Sequence, residues 1–174
     1  MLFSEYLNTP DLDFATGVVL LIDKPLTWTS FNAVNKIRHS IKNHPSFTKD
    51  GVKLKARVGH AGTLDPLATG LLIICTGKMT KQIESYMGME KEYTGTFMLG
   101  ATTPCYDLEK EIDHTFPTLH ITEEMIFEAA KRFTGIIQQT PPIFSAIKVG
   151  GKRSYDMARA GQEVELKSRE IEIK

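Results

Sequence analysis

From residue 17 onward the chain alternates short apolar runs with segments of clear period. Gly17 opens Val18-Val19-Leu20-Leu21-Ile22, apolar on both faces, which predicts a central strand ended by Asp23-Lys24-Pro25. Phe31, Val34, Ile37 and Ile41 then recur at helical spacing behind Thr29 or Ser30, either of which can cap the helix, and His44-Pro45 ends it. A long polar connection follows to Arg57. Residues 59–70 read as a loop, 71–76 as a second buried strand and 80–87 as a short helix. Tyr93, Gly95, Phe97 and Leu99 alternate with Thr94, Thr96 and Met98, the pattern of a strand with two distinct faces. Thr122 caps a helix that has Glu123 and Glu124 in its first turn and Met125, Ile126, Ala129, Ala130 and Phe133 on one face, with Gly135 as its stop. A short strand up to Val149 followed by Gly150-Gly151 predicts a hairpin turn, and Val164, Leu166, Ile171 and Ile173 indicate strands to the end. Residues 1–16 are polar, carry Pro10 and have no period, so they are expected to form a loosely attached N-terminal arm.

Helices and strands joined by hairpin-type connections, without regular βαβ repeats, predict an α+β fold: a mixed, mainly antiparallel sheet flanked by helices. The 174 residues, 41% apolar and 24% charged, fit one globular domain. A formal net charge of zero argues against a generic nucleic-acid-coating protein. The charge is unevenly spread, however. Lys36, Arg38, Lys42, Lys49, Lys53, Lys55 and Arg57 are opposed only by Asp50, whereas Asp107, Glu109, Glu111, Asp113, Glu123, Glu124 and Glu128 cluster later. Both runs suit an ordinary solvated surface, and they also suit a polyanion bound in one orientation.

Cys75 and Cys105 form no CxxC pair, and the five histidines show no metal-ligand spacing, so neither a metal nor a redox dithiol is expected. No phosphate loop, GxGxxG fingerprint or GxSxG elbow occurs, and no cofactor is expected. The acidic N-terminus lacks Lys and Arg through residue 16, and the longest apolar runs are far too short to span a bilayer, which predicts a cytoplasmic protein with no membrane contact. What remains is a carboxylate in a glycine-bordered loop, Gly59-His60-Ala61-Gly62-Thr63-Leu64-Asp65-Pro66-Leu67-Ala68-Thr69-Gly70. The local pattern leaves two readings of Asp65 open: a nucleophile, or the cap of a one-turn helix with Pro66 first and Gly70 as its stop.

That twelve-residue segment resembles the signature of the TruB family of tRNA pseudouridine synthases. Residues 17–25, Lys91-Glu92-Tyr93, Pro141-Pro142-Ile143-Phe144-Ser145-Ala146-Ile147-Lys148, Gly151-Lys152-Arg153-Ser154-Tyr155 and Ala158-Arg159 are similar to the same family in the same order, so the resemblance covers about residues 17–167. It implies that Asp65 is the catalytic aspartate, that His60 contacts RNA near the target, and that Tyr93 stacks on the flipped uracil. Lys24 and Lys148, with Lys152 and Arg153, are expected to meet phosphates. The implied reaction isomerises uridine 55 in the T-loop of tRNA, with the T-loop and T-stem as partner and no obligatory protein partner. An aspartate is already an anion at neutral pH, and the isomerisation has no redox change, which agrees with the lack of cofactor motifs.

Two departures stand out. Where the family commonly has a Thr-Asp-Thr-type loop with a Gly, this chain has Thr103-Pro104-Cys105-Tyr106-Asp107 and Lys110. The family also continues into a strand whose Arg pairs with the catalytic carboxylate, and usually into a small RNA-binding domain. Residues 17–174 are therefore expected to be a catalytic domain lacking its C-terminal strands and any C-terminal RNA-binding domain. A non-catalytic RNA-binding or RNA-folding protein and a guide-RNA-dependent synthase are the rival expectations.

Overall fold

The computed structural model describes residues 12–142, 148–154, 157, 160 and 166–174. The chain divides into two compact units, Met1–Thr94 and Gly95–Lys174. In the first unit, β1 (Val19–Lys24) leads to α1 (Ser30–Ile41), and a 3-10 turn (Pro45–Phe47) precedes the hairpin of β2 (Thr48–Lys49) and β3 (Val52–Lys53). β4 (Val58–Ala61), β5 (Gly70–Thr76), a 3-10 helix (Gly77–Gln82) and α2 (Ile83–Met87) complete it. The central sheet has the order β1-β5-β4 and is antiparallel throughout.

α1 begins where the sequence predicts. Thr29 Oγ1 accepts from the Asn32 amide at 3.0 Å and Asn32 Oδ1 accepts from the Thr29 amide at 2.9 Å, a reciprocal cap. The helix buries Ala33, Val34, Ile37 and Ile41 against Leu20 of β1, Val58 of β4 and Leu72 and Ile74 of β5. Phe31, assigned to that face by its spacing, is exposed. The polar connection is more structured than its composition suggests, because Phe47 enters the core and Asp50-Gly51 make a hairpin turn with φ of 50° and 77°.

Three expectations change. β1 pairs only with β5 among the described residues, so it is an edge strand, and Leu21 is correspondingly exposed. Its apolar residues continue a ladder without a second neighbour. The segment over residues 93–99 forms no strand, and Phe97 is 92% exposed. Alternation supplies two faces, but a strand also needs a ladder partner, and no described residue pairs there. The last residues of the supposed arm are firmly attached. Phe14 is fully buried in the core, Asp13 Oδ1 accepts from the amides of Ala15 and Thr16, and the Lys78 amide donates to the Thr16 carbonyl at 3.0 Å. A Cβ on Gly77 would overlap the Ala15 carbonyl, so this close approach requires glycine. Replacing Phe14 by Ala removes a fully enclosed ring and is expected to cost about 3–5 kcal/mol, measured by denaturant unfolding of the full-length protein. A loss below about 1 kcal/mol would show that the turn is peripheral.

In the second unit, β6 (Ala101–Thr102) pairs with β7 (His114–Thr115), and β8 (Gly135–Gln139) pairs with β11 (Arg169–Ile173). β9 (Lys148–Val149) and β10 (Lys152–Arg153) form the hairpin expected around Gly150-Gly151, whose φ values are 58° and 85°. α3 (Glu123–Arg132) starts at Thr122, whose Oγ1 accepts from the Met125 amide at 3.3 Å. Acids lie in its first turn and Lys131 and Arg132 in its last, both favourable to the helix dipole. The apolar positions Met125, Ile126 and Phe133 are exposed, not packed. The α+β class holds, and every ladder among the described residues is antiparallel.

Candidate active site

The segment expected to be one loop is a strand followed by a tighter loop. β4 carries His60, in register with Ile74 of β5; the chain then turns at Gly62, with φ of 94°, and re-enters the sheet at Gly70, with φ of 107°. Between these glycines Asp65 is exposed. The Ala68 amide donates to the Asp65 carbonyl at 3.0 Å, closing a turn and not a helix. No hydrogen bond reaches the Asp65 carboxylate among the described residues, so the helix-cap reading of this side chain is not realised.

The backbone on both sides of Asp65 is fastened to the first residue of α1 and to the connection that precedes it. Ser30 Oγ accepts from the Leu64 amide at 2.9 Å and donates to the Leu64 carbonyl at 3.0 Å. On the other side the Pro66 carbonyl accepts from the Thr27 amide at 2.8 Å. Thr27 has φ of 69°, a left-handed conformation that costs a β-branched residue about 1–3 kcal/mol and persists only when its surroundings hold it. Leu64 also packs against the core cluster. The loop thus offers an exposed carboxylate on a backbone fixed one residue before and one residue after it, the arrangement a positioned nucleophile requires.

Lys24 takes a different role from the phosphate contact expected of it. Its side chain is fully buried, and Nζ donates to the carbonyls of Trp28 at 2.6 Å, Pro25 at 3.1 Å and Pro66 at 3.5 Å. Burial pushes its ammonium below the usual lysine range, opposed by the attraction of the nearby Asp65 carboxylate. Nζ is thus turned to these carbonyls and away from solvent. Lys24 is instead a cationic strut under the Asp65 loop.

His60 is half-buried, and its Nδ1 contacts the Gly62 carbonyl. A carbonyl only accepts, so Nδ1 carries the proton of this contact, which fixes the ring's orientation. Tyr93 is 71% exposed, in a segment without regular structure, with its ring open to solvent. The preceding Lys91 caps the end of α2, donating from Nζ to the Met87 and Met89 carbonyls. Lys148 lies in β9 of the second unit, and Lys152 and Arg153 form β10. Residues 143–147, 155–156 and 158–159 of the motifs quoted above lie outside the described residues.

The structure brings Lys24, Ser30 and the Asp65 loop together, and Ser30 and Thr27 are the contributors the sequence reading did not assign to the site. A signal for Ser30 was present. It extends the buried helical stripe Ala33, Val34, Ile37 and Ile41 by one turn, and a hydroxyl on a buried stripe needs partners. Thr27 left no such mark, because its contribution is a backbone amide.

The description "TruB family pseudouridylate synthase (N terminal domain)" belongs to the family model that matches residues 49–174. The chain is 59% identical to tRNA pseudouridine synthase B of Flavobacterium johnsoniae over 165 residues, which are 95% of this chain and 69% of that protein. It is 60% identical to the protein of the same name from Phocaeicola vulgatus over 162 residues, covering 93% and 66%. With the one from Chloroherpeton thalassium the identity is 52%, covering 90% and 62%. The chain therefore spans about two thirds of the length of these curated relatives.

Proposed function

The chain belongs to the TruB family of pseudouridylate synthases, and on that premise we propose that the protein isomerises uridine 55 in the T-loop of tRNA to pseudouridine, with the Asp65 carboxylate as nucleophile. The observation that carries this reading is the Asp65 loop itself, an exposed carboxylate on a backbone pinned through Leu64 and Pro66. The reaction breaks the C1′–N1 bond, turns the uracil and joins C1′ to C5; C5 then loses its proton and N1 gains one, so the product is an isomer of the substrate. The target base must leave its stack, at a cost of a few kcal/mol. The exposed ring of Tyr93 supplies a surface for stacking, and a base on such a ring recovers about 1–3 kcal/mol. His60, anchored through Nδ1, contacts the RNA near the target through the rest of its ring. Lys24 and Ser30 hold the nucleophile's backbone, Lys148 belongs to the RNA-contacting surface, and residues 17–174 belong to one catalytic domain of a cytoplasmic enzyme.

The test is incubation of the full-length protein with an unmodified tRNA transcript and mapping of pseudouridine. Conversion at uridine 55 without cofactor or guide RNA is the expected result. Tight tRNA binding without conversion would favour an RNA-binding scaffold, and conversion only with an added guide RNA would overturn the stand-alone reading.

A further inference from the structure

Arg38 and His39 of α1 and Lys42 at its C-cap meet Lys55 and Arg57 from the segment before β4 around an open groove of about 930 Å³, also lined by Ala56, Val58 and Gly59. Arg38 and Lys42 are one helical turn apart, and Lys55 and Arg57 share one side of an extended segment, so two different periods place four permanent cations on one groove. None of the residues lining it is acidic, and among the described residues none of the four cations lies within 4.0 Å of a carboxylate. The whole chain has as many acids as bases, 21 of each, so this concentration is local. The dipole of α1 accounts for Arg38 and Lys42 near its C-terminus, but not for Lys55 and Arg57.

Arg38 is also held in place. Its guanidinium donates to Asn35 Oδ1 at 2.7 Å and to the Val58 carbonyl at 3.1 Å, which fixes the planar group along the groove. An oriented guanidinium beside exposed lysines is the arrangement that binds phosphate oxygens at little ordering cost. β4, whose Val58 and Gly59 line the groove, carries His60 at the next position, so the groove and the Asp65 loop share one strand.

We propose that this groove is a second RNA contact of the protein, gripping the sugar-phosphate backbone of the tRNA outside the nucleotide that reacts. The proposal rests on the tRNA reading above. A concave, multi-cation groove fits a curved polyanionic backbone better than a flat lipid surface, and its contribution is to affinity and register, with no reading of bases. The experiment compares full-length wild type with Lys42→Glu/Lys55→Glu and the milder Lys42→Gln/Lys55→Gln. Dissociation constants for unmodified tRNA are measured across a salt series, together with single-turnover rates over a range of enzyme concentration.

The glutamate pair is expected to weaken binding at least about tenfold at 0.1 M salt, and the glutamine pair to lower the salt slope by about 1–2. The change should fall on KM and Kd much more than on kcat. Unchanged affinity and slope in both folded pairs, beside a wild type that modifies tRNA, would overturn the groove alone. A wild type that binds tRNA without converting uridine overturns the catalytic reading, while slope loss in the glutamine pair would still support the groove. Should the glutamate pair fail to fold, the glutamine pair decides.

Discussion

Asp65→Asn in the full-length protein is expected to abolish pseudouridine formation, a fall of at least about 10⁴-fold in single-turnover rate, and to leave folding and tRNA binding intact. The amide has nearly the shape of the carboxylate but no anionic oxygen with which to form the covalent intermediate. No hydrogen bond among the described residues depends on the side chain, and its one local effect is an attraction on the Lys24 ammonium. The restraints on this loop run from Ser30 to the Leu64 backbone, from Thr27 to the Pro66 carbonyl and from Ala68 to the backbone carbonyl of Asp65. An exposed substitution of this kind shifts stability by about 0.5 kcal/mol or less. Removing a negative charge from a surface that meets phosphates should hold tRNA affinity constant or tighten it slightly. Rate, thermal unfolding and tRNA Kd measured on one preparation check all three statements. A variant that retains pseudouridine formation within tenfold of wild type would exclude Asp65 as the nucleophile.

What the sequence made legible follows from how local each signal is. The cap at Thr29, the cap at Thr122 and the paired glycines at 150 and 151 act within four residues, and each appears where the pattern places it. Signals that need a distant partner fared worse. The alternation from Tyr93 to Leu99 satisfies one condition for a strand, yet a ladder needs a neighbour, and β1 looked central because apolar composition cannot count neighbours. Phe14 was hidden in a polar stretch, and only its burial beside the 3-10 helix Gly77–Gln82 exposes its role. At the site, the motif singled out Asp65, but Lys24 read as a surface charge. Its closest contacts are to Trp28 and Pro25 nearby, but the one that ties it to the Asp65 loop is the longer contact to Pro66, 42 positions away, and no local pattern encodes that. The basic run was visible as charge, while its convergence on one groove required the packing of α1 beside β4.

Lys24→Met should produce the largest loss of stability among substitutions around the Asp65 loop. The methionine fills much of the same volume but donates nothing, so the Trp28 carbonyl loses its donor, while Pro25 keeps the Trp28 amide and Pro66 keeps the Thr27 amide. The unsatisfied Trp28 carbonyl costs about 1–3 kcal/mol and the two weakened ones less, partly offset because a desolvated charge is no longer buried, and the net destabilisation expected is about 1–3 kcal/mol. Ser30→Ala, which removes one hydroxyl from the same junction, should cost about 1–2 kcal/mol. The pH dependence has a definite sign. Burial holds the Lys24 pKa below its unfolded value of about 10.4, so between the two values the unfolded chain binds the proton that the fold has released. The charge-burial cost is fully present below the folded pKa and is relieved as pH rises through that window. Wild type should therefore gain stability relative to Lys24→Met as pH approaches about 10, read by urea unfolding at several pH values. Because the same carbonyls lie on either side of the loop's anchor points, the variant should also lower kcat in proportion to how far Asp65 drifts, with tRNA affinity much less affected. A methionine variant as stable and as fast as wild type would show that the Asp65 loop holds its position without the buried cation beneath it.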